Sequence, residues 1–146
     1  MFKRILIVCI GNICRSPTAE HLLRQALKDT DIQVSSAGLG ALVDHATEST
    51  ALAVLQAHGQ DPQEHQARQL NARLLSQADL VLVMERRHIE GVTRLAPEAR
   101  GKTFLLGKWQ QDCEIPDPYR KDIATFEYTY RLIEESVNAW ATRLRH

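Results

Sequence analysis

The chain has 146 residues, 18 Lys and Arg against 18 Asp and Glu, and a hydrophobic share of 44%. That length and balance fit one globular domain over residues 1–146, and they speak against a strongly basic nucleic-acid binder or an acidic disordered chain. The longest apolar run near the N-terminus, Ile5 to Ile10, has six residues. A membrane helix needs about 20 and a secretory core segment about 7–15, so a cytoplasmic protein without direct membrane insertion is expected.

The elements follow from pattern. Ile5 to Cys9 reads as a buried strand, short and rich in β-branched residues, ended by Gly11-Asn12. Ser16-Pro17 predicts a helix start, with Ser16 as N-cap and Pro17 at the first helical position. Ala19, Leu22, Leu23, Ala26 and Leu27 then share one face. Ile32 to Ala37 is the second predicted strand, closed by Gly38, and residues 48–58 a second helix ending at Gly59. A short helix over Ala72 to Gln77 precedes a third strand, Leu80 to Met84. A helix or turn over Arg87 to Leu95 leads to Pro97, and Thr103 to Leu106 is the fourth strand. Ile123, Phe126, Tyr130, Ile133, Val137, Trp140 and Leu144 alternate steps of three and four, one apolar stripe on a long final helix. The stripe would also fit a coiled-coil seam, but packing on the domain's own sheet is the simpler expectation.

Alternating strands and helices imply a single-domain α/β fold, a four-stranded parallel sheet with helices on both faces. Ligands in such sheets sit beyond the carboxyl ends of the strands. The segments to search are therefore Cys9–Ser16, Ser36–Leu42, Glu85 onward and Gly107–Tyr119.

Three cysteines, Cys9, Cys14 and Cys113, are an odd number in a chain large enough for its own core, so no disulfide scaffold is expected. Such cysteines usually pack, and less often act as nucleophiles or metal ligands. Position singles out Cys9. In Cys9-Ile10-Gly11-Asn12-Ile13-Cys14-Arg15-Ser16 a cysteine is followed at six residues by arginine and then serine, between a strand and a helix start. The spacing alone is weak evidence, and the placement makes it specific. A loop wrapped into a helix N-terminus aims backbone N–H groups at one point, where the helix dipole favours negative charge. Gly11 and Asn12 tolerate the left-handed backbone such a loop needs. Cys9 would lie beneath that anion hole, its thiolate favoured by the loop amides, Arg15 and the Ser16 hydroxyl. The planar fork of Arg15 can hold two phosphate oxygens at once.

The run Val8 to Pro17 resembles the signature of the low-molecular-weight protein tyrosine phosphatases. Further matches are Ser36-Ala37-Gly38, His65 to Gln69, Asp79 to Glu85, and Asp117-Pro118-Tyr119. Gly38 to Leu42 and Glu114 to Lys121 resemble the Gram-negative branch linked to exopolysaccharide or capsule export. The resemblance implies that family's Rossmann-like fold and hydrolysis of phosphotyrosine through a phosphocysteine intermediate, with no metal or other cofactor. It implies Cys9 as nucleophile, Arg15 and the loop Ile10–Ser16 as phosphate binders, and Asp117 as proton donor to the leaving phenolate. Asp117 also stands out because Pro116 and Pro118 stiffen its loop.

Ser36 and His65 resemble positions that hold the loop through Asn12, and Glu85 one that braces Arg15. For Cys14 two readings stand, a packing residue or, as the family suggests, a disulfide partner of oxidised Cys9. Leu39 and Leu42 lie where many family members present an aromatic residue. With Ile10 and Tyr119 they would form an apolar slot for a phenyl ring. The implied partner is a phosphotyrosine protein, for this branch a membrane tyrosine autokinase, with Arg86, Arg87 and Arg120 as candidates for holding its tail.

Other chemistries remain in view. A thioredoxin-coupled arsenate reductase of the same fold needs further cysteines after the third strand, and Glu85 to Glu90 contains none. A phosphocysteine carrier would use Cys9 but need neither Arg15 nor Asp117. A zinc site from Cys9, Cys14 and His21 matches no standard spacing.

Overall fold

A computed structural model describes residues 2–145. Its elements in chain order are β1 (Arg4–Cys9), α1 (Arg15–Ala26), β2 (Gln33–Gly38), α2 (Ser49–Ala57), α3 (Ala72–Gln77), β3 (Leu80–Val83), α4 (Arg86–Leu95), β4 (Thr103–Leu105) and α5 (Ile123–Leu144). A 3₁₀ turn over Pro97–Lys102, not foreseen from the pattern, joins α4 to β4. The strands form one parallel sheet in the order β2-β1-β3-β4.

The two-residue period of the strands sorts the core into two layers. Ile5, Ile7 and Cys9 of β1, with Leu80 and Leu82 of β3, face a cluster completed by α1, α2 and α5. Leu6 and Val8, with Val81 and Val83, face the other cluster, under α3 and α4. The final stripe lies on the first cluster through Phe126, Tyr130, Ile133, Val137 and Trp140, all buried. Its first member departs from expectation: Ile123 opens α5 and stays 62% exposed, because the first turn runs ahead of the core. The indole N–H of Trp140 donates to the Leu106 carbonyl at 2.9 Å, anchoring α5 to the loop after β4.

Ser16 is not the N-cap of α1. Arg15 is already helical, Cys14 holds the cap position without a side-chain cap bond, and Pro17 is the third helical residue. The proline still falls in the first turn, where its missing N–H costs nothing. Ser16 is drawn away from capping by the sulfur of Cys9.

β2 is an edge strand, and its outward Val34 and Ser36 carbonyls accept from Arg24 Nη2 at 2.7 Å and Arg68 Nε at 2.9 Å. Guanidinium groups there block a further strand from adding. Because β2 lies on one side of β1 and β3 on the other, the chain reverses direction across the sheet at β1. The crevice at such a switch point is where the β1–α1 loop emerges.

Candidate active site

Residues 9–14 form a loop whose carbonyls are all taken from outside it. Cys9 O accepts from Leu39 N, Ile10 O from Gly40 N, Gly11 O from Leu42 N, Ile13 O from Glu48 N and Cys14 O from Thr18 N. Asn12 O accepts from His65 Nε2 at 2.6 Å. In a planar trans peptide the next N–H points opposite to the carbonyl. Six carbonyls held outward therefore turn the N–H groups of Ile10 to Arg15 toward the loop's centre. The result is a backbone anion cradle at the start of α1. Gly38 lets the loop lie this close to β2, since a Cβ there would stand 2.2 Å from Ile10 O.

Asn12 holds the cradle from within. It alone in the loop takes the left-handed conformation, φ 59°, a state that asparagine tolerates. Its Nδ2 donates to Ser16 Oγ at 2.7 Å and Ser36 Oγ at 2.9 Å, and its Oδ1 accepts from Arg68 N at 2.9 Å. The Ser36 hydroxyl donates a hydrogen bond to the Glu20 carboxylate. Ser16 Oγ, already accepting from Asn12, lies 2.9 Å from Cys9 Sγ and is free to donate its proton there. Ser36 and His65, both expected from sequence, thus meet at Asn12. Glu20 and Arg68 join the same network without having been foreseen. Glu20 lies one helical turn beyond Ser16, a spacing that could have drawn notice.

Arg15 is 2% exposed, yet three oxygens surround its guanidinium. Nη1 donates to Glu85 Oε2 at 2.5 Å and to the Ile115 carbonyl at 2.8 Å, and Nη2 lies 3.8 Å from Asp117 Oδ2. Ile115 is itself tied to the end of β3 through its N–H to Met84 O at 2.9 Å. Burial pulls the Glu85 carboxyl up, but bonds from Arg87 and Arg15 outweigh it and hold the group below its ordinary range. Burial first, then Glu48 and Asp117, push the Cys14 thiol well above its ordinary value. Cys14 is therefore a protonated, buried thiol in the same loop as Cys9.

His88 in the first turn of α4 is buried and accepts the Glu85 N–H on Nδ1 at 3.2 Å. Burial, then the Arg15 guanidinium, push it down to about 4 from an ordinary 6.5. Because the folded-state value is the lower one, the unfolded chain takes up this proton first as pH falls. Stability linked to His88 is full above pH 6.5 and declines toward about pH 4, at up to ~1.4 kcal/mol per pH unit for one proton. Melting temperature should fall across that window in the native chain and fall less steeply in His88→Gln. Identical slopes in the two proteins would remove His88 from the acid response.

A cleft of about 200 Å³ opens on the cradle, lined by residues Cys9 to Arg15, Gly40, Leu42, Asp117 and Tyr119. Leu42 and Tyr119 are exposed at its mouth. Asp117 Oδ1 accepts the Tyr119 N–H at 3.0 Å, a turn that fixes where the carboxylate looks. Leu39, expected in the slot, lies elsewhere. It does not line the cleft but packs toward α4, where a Cβ on Gly91 would stand 2.9 Å from its Cδ1. The larger apolar side chains lining the cleft are Ile10, Ile13, Leu42 and Tyr119. A larger hollow of about 480 Å³ beside β2 carries Arg4, Arg24 and Arg68 but no cysteine, histidine or carboxylate. His21, weighed above as a zinc partner, bonds Gln60 Oε1 instead, and no cluster of three metal-ligating side chains occurs among the described residues.

A thiol under a backbone anion cradle, with a buried guanidinium and a carboxylate at the rim, is an arrangement suited to holding a phosphate-like anion. Residues 4–146 match the model of the low molecular weight phosphotyrosine protein phosphatases, and the chain belongs to that family. It is 51% identical over 144 residues to the low molecular weight protein-tyrosine-phosphatase Wzb of Escherichia coli (strain K12), covering 99% of this chain and 97% of the relative. The crystal structure of Wzb from Escherichia coli K30 in complex with sulphate is similar with TM-score 0.95 and 46% identity over 99% of each chain. Vibrio vulnificus Wzb in complex with benzylphosphonate is similar with TM-score 0.94 and 44% identity, covering 98% of this chain and 99% of that one. The chain is a protein-tyrosine-phosphatase of the low-molecular-weight type.

Proposed function

We propose that this phosphatase works by two in-line displacements through a phosphocysteine at Cys9. The thiolate attacks phosphorus while the loop amides and Arg15 carry the charge on the equatorial oxygens. The S–P bond forms, the P–O bond to tyrosine breaks, and the phenolate leaves with a proton from Asp117. Asp117 then takes a proton from water, whose oxygen attacks the phosphocysteine and returns Cys9 as thiolate with free phosphate. The outward anchoring of six consecutive carbonyls is the observation that supports this most, because it leaves a cradle for a tetrahedral anion directly over the sulfur.

An apolar slot of Ile10, Leu42 and Tyr119 suits a phenyl ring above that cradle. A carrier that hands phosphate to a partner has no use for the buried Arg15 or for Asp117 beside it. The segment that opens α4 offers no cysteine for arsenate reductase chemistry. The likeness of Gly38–Leu42 and Glu114–Lys121 to the exopolysaccharide branch supports a cytoplasmic role on a membrane tyrosine autokinase in exopolysaccharide or capsule production. No helix among the described residues is long and apolar enough to cross a membrane.

Hydrolysis of p-nitrophenyl phosphate with EDTA present, quenched during turnover, tests the reading. Mass spectrometry should find a phosphoryl group on the Cys9 peptide. Asp117→Ala should slow turnover by about 10²-fold or more, with a larger loss on phenyl phosphate, whose leaving group is the poorer one. A phosphoryl group elsewhere, or equal losses on both substrates, would defeat the assignment. A wild-type protein that accepts phosphate from a partner without hydrolysing the ester would be a carrier.

Cys14 fits the role of guard. Peroxide would convert the Cys9 thiolate to sulfenic acid with release of hydroxide, and the Cys14 thiol would condense with it to a disulfide and water. Peroxide-treated enzyme should then regain activity with thiol reductant, and Cys14→Ser should not. Equal recovery of both would end that role.

A further inference from the structure

Among the described residues, His88 is a buried titratable side chain beside Glu85 that the mechanism leaves without a task. It is 1% exposed and stands three residues into the chain from Glu85. Its Nδ1 accepts the Glu85 N–H at 3.2 Å. A neutral imidazole that accepts on Nδ1 carries its proton on Nε2. That buried Nε2–H has no hydrogen-bond partner among the described residues. It stands 3.6 Å from Glu85 Oε2, the same oxygen that accepts Arg15 Nη1 at 2.5 Å.

We propose that His88 is a positioning residue of the phosphate grip: it backs the Glu85 carboxylate from beneath and so sets the plane that Arg15 presents to the phosphoryl oxygens. This rests on the reading above, in which Arg15 holds phosphate. Glu85 is pulled two ways, inward by Arg15 and outward by Arg87, whose Nε donates to Oε1 at 3.0 Å from a largely exposed side chain. His88 touches Glu85 at both its backbone and its carboxylate. A sub-ångström movement of Oε2 completes the bond from Nε2–H. Beyond Arg15 and Arg87, Glu85 therefore has a further donor within reach of Oε2. The ring's neutrality fits the task, since an imidazolium here would repel Arg15 and compete for its carboxylate.

The test measures kcat/KM on p-nitrophenyl phosphate and the inhibition constant of inorganic phosphate in five proteins: wild type, His88→Leu, His88→Gln, Glu85→Gln and the His88→Leu, Glu85→Gln double variant. His88→Leu keeps the volume and removes both polar contacts. It should lower kcat/KM about tenfold and weaken phosphate inhibition by a similar factor. In the Glu85→Gln background the same change should add less than about twofold, because the effect runs through Glu85. His88→Gln, able both to accept the Glu85 N–H and to donate to its carboxylate, should return within about threefold of wild type.

Wild-type kcat/KM and phosphate inhibition in His88→Leu, whatever its melting temperature, would overturn the proposal, as would full additivity with Glu85→Gln. Cys9→Ser run alongside separates the two readings. Turnover surviving in Cys9→Ser sinks the phosphocysteine mechanism, whereas dead Cys9→Ser with unaffected His88→Leu sinks only the role of His88. Should the leucine variant not fold, nitrogen NMR of the wild-type imidazole decides. A proton on Nε2 whose signal moves downfield on adding inorganic phosphate supports the role, and a proton on Nδ1 overturns it.

Discussion

Cys9→Ser is expected to abolish phosphatase activity, a loss of at least ~10⁴-fold, because the hydroxyl is a far weaker nucleophile than the thiolate at neutral pH. The replacement changes one atom at the base of the cradle and leaves the rest standing. The six carbonyl anchors belong to backbone groups of the loop and its neighbours, and Asn12, Ser36 and His65 do not touch the sulfur. Ser16, the neighbour 2.9 Å from Sγ, can hydrogen-bond an oxygen equally well. Affinity for phosphate or vanadate, measured by calorimetry, should therefore persist while turnover vanishes. Turnover within about tenfold of wild type would make Cys9 a structural residue. Loss of both turnover and anion affinity would show instead that the substitution had collapsed the loop.

The sheet was legible because each strand is a run of apolar residues too short for a helix and closed by a loop residue. The β1–α1 loop was legible because a thiol, a glycine, an asparagine and an arginine stood where a strand meets a helix. What escaped the sequence were choices made only when distant segments meet. Ser16 has the chemistry of an N-cap, but the Cys9 sulfur and Asn12 amide offer its hydroxyl other partners. Leu39 looks like a slot residue by position, yet the absence of a side chain on Gly91 opens a place for it under α4. Glu20 offers only its one-turn spacing from Ser16 as a local signal, and nothing local assigns Arg68 or His88 to the site. They matter because α1, the segment before α3 and the start of α4 converge on Asn12, Ser36 and Glu85.

Arg15→Lys should cost about 10²–10³-fold in kcat, the usual effect of removing a preorganised donor to the transition-state oxyanion. A lysine keeps the charge, so any difference measures geometry. The guanidinium already spends Nη1 on Glu85 and the Ile115 carbonyl, and still has Nε and Nη2 to offer phosphate. An ammonium has three hydrogens at one point and cannot satisfy both the buried oxygens and two phosphate oxygens. Either Glu85 keeps its partner and phosphate is gripped poorly, or the ammonium turns to phosphate and leaves a partly buried carboxylate unpaired. In the first case kcat falls with melting temperature nearly unchanged, and in the second the protein is also destabilised. Measuring kcat, phosphate inhibition and melting temperature on one preparation tells the two apart. Full activity in Arg15→Lys would mean that positive charge alone suffices at this position and that the planar fork, with the carboxylate that aims it, is dispensable.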